Sequence, residues 1–478
     1  MEQSTRQRGQ RRMKSLLEED QFQRNQHLSK QERPRVLKSL MIGSQHVLAM
    51  DLFIPPIILA GLLSLSVANT ALLIQMTFLA CGIATVIQAG FAMKLPVMQG
   101  PSFIPLSALA AIGTTSGLGA MIGSLIPGAI LIALLGYPLR IVSKIIQSFI
   151  PKLVAGTVII VVGVALMPSA IQSIYTAPGH FGTNVFIAAL SMGVLVVCIY
   201  VGETFIRFKF VKLFSVIFAL TIGTVVASFF GMLDFSSVYT AKWFAMPHLF
   251  AFGVPTFEWE AIMIVTFLYF IIMIETTGTW FTVSNVTGQP LDDRRLNGGA
   301  LGEGIGCLIG ACFGGTSVTG YSSNAGVVAI TGVKSRYPVI AGGIILIALS
   351  MMPKIMNAIA SIPAPVVNGV FALVCVVIMM NGFRVVKDIP FSERNMLMIG
   401  IPIMLTLFTI FLPAEIIEKM PDIIHYLFSS GMAVGALAAV ILNKLLPEKT
   451  NHIIRNVDNK PLTSNVRTHY ETITGGKR

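Results

Sequence analysis

Between Gly314 and Val333 the chain reads Gly-Gly-Thr-Ser-Val-Thr-Gly-Tyr-Ser-Ser-Asn-Ala-Gly-Val-Val-Ala-Ile-Thr-Gly-Val, with apolar runs on both sides. So much Gly, Ser and Thr does not make an ordinary spanning helix. Unpaired backbone in hydrocarbon costs several kcal/mol per group, so such a stretch must be satisfied by protein or line a cavity. The sequence therefore predicts an interrupted segment at a binding site.

The rest of the chain places that segment in a membrane. Of 478 residues, 54% are hydrophobic and only 12% charged, and apolar stretches recur from about Ser39 to Leu446. This predicts an all-α polytopic membrane protein. The first 35 residues are polar and charged, without the apolar core of a signal peptide, and read as a tail, as does 447–478. The net charge of +12 sits at segment ends and in tails, which argues against a nucleic-acid module. Cys81, Cys198, Cys307, Cys312 and Cys375 all fall in apolar runs, so neither disulfides nor a metal centre are expected.

Fourteen segments are predicted, near 39–63, 70–91, 95–113, 118–138, 150–173, 184–202, 212–232, 259–283, 298–312, 316–333, 337–353, 362–382, 395–413 and 422–446. With both termini cytoplasmic, the inner loops hold Lys94, Arg140, Lys144, Lys152, Arg207, Lys209, Lys212, Arg294, Arg295, Lys334, Arg336, Arg384, Lys387 and Arg394. The outer loops hold only Lys242, Lys354 and Lys419, as the positive-inside rule requires.

The chain also repeats itself. Residues 128–138 match 343–353, and Ile150-Pro151 with its following valines matches Ile362-Pro363 with its own. Both matches shift the chain by seven segments, an odd number, so the second copy enters the membrane inverted. Inverted repeats place a site near the midplane, where broken helices from the two halves meet. The same shift pairs segment ten with segment three, Leu95 to Pro105, which is itself broken by Pro and Gly.

Three carboxylates lie deep in the spans, Asp51, Glu275 and Glu303, with no Lys or Arg at such depth in any segment to pair with them. Each must be protonated, hydrogen-bonded, or turned toward water or ligand. Glu275 offers two acceptors to a ligand with adjacent N–H donors, such as a purine or pyrimidine edge, and Thr279 follows one turn later on the same face. Glu303 lies among Gly302, Gly306, Gly310 and Gly314, a smooth face for close helix approach, and reads either as a proton carrier or as a structural pin. Gln45, His46 and Asp51 in the first segment read as site architecture. Tyr321, Ser322, Ser323 and Asn324 form the polar centre of segment ten, and Ser102 and Phe103 hold the matching place in segment three. Backbone N–H groups and an aromatic face suit a flat, hydrogen-bonding ring.

The run Asn324, Gly326, Thr331, Gly332 resembles the signature of the nucleobase-ascorbate transporter family, also called nucleobase:cation symporter family 2, in its bacterial xanthine and uric acid permease branch. Gln45-His46, Glu275, Glu303 and Ser102-Phe103 resemble further family positions, so the resemblance covers nearly all of 36–446. It implies a core domain (36–145 and 236–357), a gate domain (146–235 and 358–446), elevator-like movement, and a homodimer through the gate. It also implies that Glu275 binds the base while Asn324 holds the segment-ten geometry. Two departures stand out. Ser323 replaces a usual Gln, Glu or Pro, and Thr279 stands where Asp or His is common. A uracil-type member would show Glu and His there, and a xanthine or urate carrier Gln for Ser323.

The expected function is proton-coupled import of a nucleobase, a purine such as xanthine or uric acid, across the bacterial inner membrane. No cofactor is expected, and sodium is the alternative coupling ion. A uracil or other pyrimidine symporter is the alternative substrate reading. An anion transporter of the sulfate-permease type would favour a positive site. No nucleophile–His–acid set or metal cluster in the spans points to an enzyme.

Overall fold

The computed structural model describes residues 34–446, apart from 206, 207, 322, 418, 419, 421–423, 425, 426 and 429. Ser322, Arg207, Lys419 and both predicted tails beyond Pro34 and Leu446 lie outside the described residues.

The chain opens with α1 (Val36–Leu48) and α2 (Ile54–Leu62). The sequence predicts one segment over 39–63, but Pro55 and Pro56 start α2 and the chain breaks before them, at Asp51. Proline lacks the N–H that a continuing helix needs, yet is tolerated in a first turn. Next come α3 (Val67–Ile87), which runs into a π turn (Gln88–Ala92), β1 (Gln99–Pro101), α4 (Leu106–Thr115) and α5 (Leu118–Gly136). A short α6 (Val142–Phe149) leads to α7 (Lys152–Tyr175), α8 (Phe181–Thr204), α9 (Lys209–Leu213), α10 (Ser215–Phe229) and α11 (Ser236–Thr240). The second half holds α12 (Trp259–Thr287), α13 (Asp293–Phe313), β2 (Val318–Gly320), α14 (Ser323–Thr331), α15 (Tyr337–Ser350) and α16 (Pro353–Ala360). It closes with α17 (Ala364–Val386), α18 (Glu393–Ile410), α19 (Ala414–Ile417) and α20 (Gly431–Leu445).

Among the described residues, eight helices are long and apolar enough to span a bilayer: α3 with its π turn, α5, α7, α8, α12, α13, α17 and α18. The pair α15 and α16 makes a ninth if counted as one span, but it bends by 88° at Pro353. The other predicted segments are short helices or broken pieces. Neither α6 nor α16 was foreseen as a separate helix. The protein is a mostly helical, multi-pass membrane protein.

Helix ends carry the expected signals. Ser66 accepts from the Asn69 N–H to cap α3, and Asp292 accepts from Arg295 to cap α13. Both α12 and α13 stop at glycines in the left-handed region, Gly288 (φ +72°) and Gly314 (φ +84°).

Lipid is as apolar as leucine, so helices in a membrane associate through close packing of small residues. On α13 that role falls to the glycine row. A Cβ at Gly302, Gly306 or Gly310 would run into Gln88, the Ala84 side chain or the Thr316 carbonyl, so this face lies flat on α3 and the turn before β2. The opposite face meets α5, where Gly304 sits against the Ala133 backbone. In the same way α7 and α17 cross antiparallel at Gly156 against Gly382 and at Gly163 against Cys375.

Candidate functional site

Strands β1 and β2 pair antiparallel with Gln99 opposite Gly320, Gly100 opposite Thr319 and Pro101 opposite Val318. The ladder extends at both ends: Ser102 N donates to Ser317 O (2.9 Å) and Tyr321 N to Met98 O (3.0 Å). Thus the Pro- and Gly-broken stretches satisfy each other's backbone, which is how extended chain survives inside a membrane protein. The pairing is tight. The Tyr321 ring lies where a Cβ on Gly100 would stand, 2.4 Å away, and the Tyr321 hydroxyl donates to the Pro101 carbonyl (3.1 Å).

Helix α12 fastens the strand pair. Gly320 N donates to Thr276 Oγ1 (3.0 Å), and Thr279 Oγ1 donates to Gly320 O (2.9 Å), so consecutive turns of α12 grip both backbone groups of one residue. Glu275 follows the same face, and Ser102 Oγ donates to its Oε2 at 3.4 Å. From the other side, Gln99 N donates to Thr85 Oγ1 on α3 (2.9 Å).

These residues bound a cavity with about 80 Å³ of space for water centres. One wall is Asp51 from the break in the first segment, Phe103, Glu275, Thr279, Thr319, Gly320, Tyr321 and Ser323. The other wall is apolar apart from Asn381: Ile159 from α7 with Val374, Val377 and Ile378 from α17. Phe103 stacks on Phe371 of α17 at 5.6 Å between centroids and 11° between planes, closing one side. Among the described residues, Thr319 Oγ1 and Ser323 Oγ are buried without a partner in hydrogen-bond geometry, and Thr319 stands beside both Glu275 and Glu303. Among the described residues, no Lys or Arg lines the cavity.

The remaining candidates stand behind this wall. Asn324 Nδ2 donates to the Pro96 carbonyl (2.5 Å), tying the start of α14 to the approach to β1. His46 is buried against Asn324, and among the described residues His46 Nδ1 and Asn324 Oδ1 both lack other partners. Glu303 is 1% exposed and surrounded by the side chains of Gln99, Thr276 and Thr319, yet among the described residues no donor reaches its oxygens in hydrogen-bond geometry. Gln45 is half-buried on α1 and does not line the cavity.

Sequence reasoning missed Ile159, Thr319, Val374, Val377, Ile378 and Asn381. A signal for the last four existed: their spacing is one helix face, and Asn381 is the polar residue that ends an apolar run.

Residues 37–415 match the Xan_ur_permease profile, described as a permease family. The chain belongs to this family. The permease is 32% identical over 420 residues to the nucleobase transporter PlUacP of Paenibacillus larvae, covering 86% of this chain and 95% of that one. It is 31% identical over 425 residues to the uric acid permease PucJ of Bacillus subtilis (86% and 93% covered) and 30% over 417 residues to the xanthine permease of the same organism (85% and 93%). Its fold is shared with the transmembrane domain of the cyanobacterial bicarbonate transporter BicA, at a TM-score of 0.60, 15% identity and coverage of 86% of this chain and 99% of that domain. The SLC26A9 structure matches with a TM-score of 0.58 at 13% identity, over 85% and 65% of the two chains. The family and these relatives are transporters, and the permease is not an enzyme.

Proposed function

We propose that this permease is a nucleobase symporter, importing a purine such as xanthine or uric acid together with a proton. The observation that carries the reading is the cavity wall on which Glu275, the hydroxyls of Thr319 and Ser323, and the Phe103 ring converge. A carboxylate and two hydroxyls match a flat heterocycle with adjacent N–H donors, and the aromatic face accepts its ring. The relatives named for nucleobase, uric acid and xanthine transport support the same substrate class. Among the described residues no cationic side chain lines the cavity, which argues against an anion carrier despite the fold shared with BicA.

In this reading Glu275 and Glu303 carry the coupling proton, because protonation removes an unpaired charge and biases the moving domain toward one face. Core (36–145, 236–357) and gate (146–235, 358–446) move past each other in an elevator-like manner. Fourteen segments form a seven-plus-seven inverted repeat, the protein is a homodimer, and both termini face the cytoplasm of a bacterial inner membrane. Packing supports the repeat, because contacts come in pairs related by the seven-segment shift. Helix α5 meets α13 as α3 meets α15, α8 meets α17 as α18 meets α7, and α10 meets α8 as α20 meets α18.

The test is uptake of radiolabelled xanthine in cells lacking their own carriers, with and without a protonophore, against unlabelled urate, uracil and sulfate. Protonophore-sensitive uptake blocked by purines is the expected result. Uptake of uracil or an anion in place of purine would overturn the substrate, and uptake that follows a sodium gradient would overturn the coupling ion.

A further inference from the structure

A second cavity, about 190 Å³ and so larger than the one at Glu275, opens where α5, α6, α12 and α20 meet. Its wall is hydrocarbon throughout, with Leu135, Ile145, Ile146, Phe270, Ile274 and Leu437 as its principal side chains. It therefore offers nothing to a polar substrate.

Its rim has the opposite character. Val142, Ile145 and Ile146 turn one face of α6 into the cavity, while Lys144 and Ser148, one helical turn apart, stand exposed on the other. Lys444, one turn beyond the cavity residue Val440 on α20, reaches across to donate to Ser148 Oγ at 3.5 Å. Arg140 is exposed just before α6 and lies over the Tyr137 ring. Neither α6 nor α20 carries an acidic residue. Greasy volume on one face of α6, with exposed cations on its other face and at the ends of α5 and α20, fits a molecule with a hydrocarbon chain and an anionic head.

We propose that this seam binds an anionic phospholipid, with an acyl chain in the cavity and its phosphate on Lys144, Lys444 and Arg140. The chain would rest on Ile271 and Ile274 of α12, next to Glu275 in sequence, and on α20 opposite. The lipid thereby bears on how the helix carrying Glu275 sits against α20. The inference does not depend on which substrate the permease carries.

Native mass spectrometry of the purified permease, incubated with palmitoyl-oleoyl phosphatidylglycerol or the matching phosphatidylcholine, tests it directly. The wild type is expected to retain one phosphatidylglycerol with a preference of about ten-fold over phosphatidylcholine. The double variant K144Q/K444Q, altered only at exposed positions, is expected to lose that preference. Leu437→Trp, which fills the cavity, is expected to lose both lipids. Equal retention of the two lipids by the wild type, or an unchanged preference in K144Q/K444Q, would overturn the proposal. Should Leu437→Trp fail to fold, the lysine variant decides alone.

Discussion

Ser102 Oγ donates to Glu275 Oε2 across 3.4 Å, joining the end of the first broken segment to the helix that grips the second. The carboxylate is held from the protein side by this hydroxyl while Glu275 lines the cavity. This contact links the two halves of the chain at the cavity wall.

Replacing Glu275 with Gln keeps the volume but exchanges an acceptor for a donor, so a pair of ring N–H groups meets one acceptor in place of two. Loss of a charge-assisted hydrogen bond of about 1.5–3 kcal/mol weakens binding roughly 10- to 100-fold. Uphill uptake is expected to be abolished while purine-independent thermal stability is kept. Accumulation equal to wild type would sink both the binding and the proton role.

Gly100→Ala places a methyl 2.4 Å from the Tyr321 ring and 2.7 Å from Leu52. The ring cannot retreat without breaking its hydroxyl bond to Pro101, so overpacking is expected to cost about 1–3 kcal/mol. The measurement is thermal unfolding in detergent together with uptake, and both should fall. The companion Tyr321→Phe relieves no clash and removes only the hydroxyl bond, so its loss should be the smaller.

Asn324→Ala removes the donor to the Pro96 carbonyl and leaves that carbonyl and His46 buried beside an apolar group. The expected loss is about 1–3 kcal/mol for a stranded buried polar group. Thermal unfolding should show it even without substrate, which separates a positioning role from direct ligand contact.

Two glycines should respond oppositely to alanine. At Gly304 the new methyl meets the Ala133 backbone at 2.4 Å, whereas at Gly326, inside the signature-like run, nothing lies within 4 Å. Gly304→Ala is expected to lower the yield of folded protein several-fold, and Gly326→Ala to leave it near wild type. Size-exclusion profiles of the two variants check this; equal behaviour would mean that the α5–α13 contact is not the constraint.

Much of this architecture was readable as local chemistry. Pro96, Gly100, Pro101 and Pro105 together disfavour an unbroken helix, as does the Gly-Ser-Thr run at 314–333, so two interruptions were legible from backbone rules. Glu275, Phe103, Thr279, Tyr321 and Ser323 were picked out as polar or aromatic departures in apolar surroundings, and all five line one cavity. The break at Asp51 carried the same kind of signal, in Pro55-Pro56, and was overlooked.

Other features had no local signal. The register of Gln99 against Gly320 depends on where two distant stretches meet, and an apolar face on α17 looks the same in sequence whether it meets lipid, core or ligand. Hydropathy and turn chemistry report what a residue tolerates. Which broken ends satisfy each other's backbone, and which valines close a cavity over Glu275, are decided only when helices pack, because both depend on distances between residues far apart in the chain.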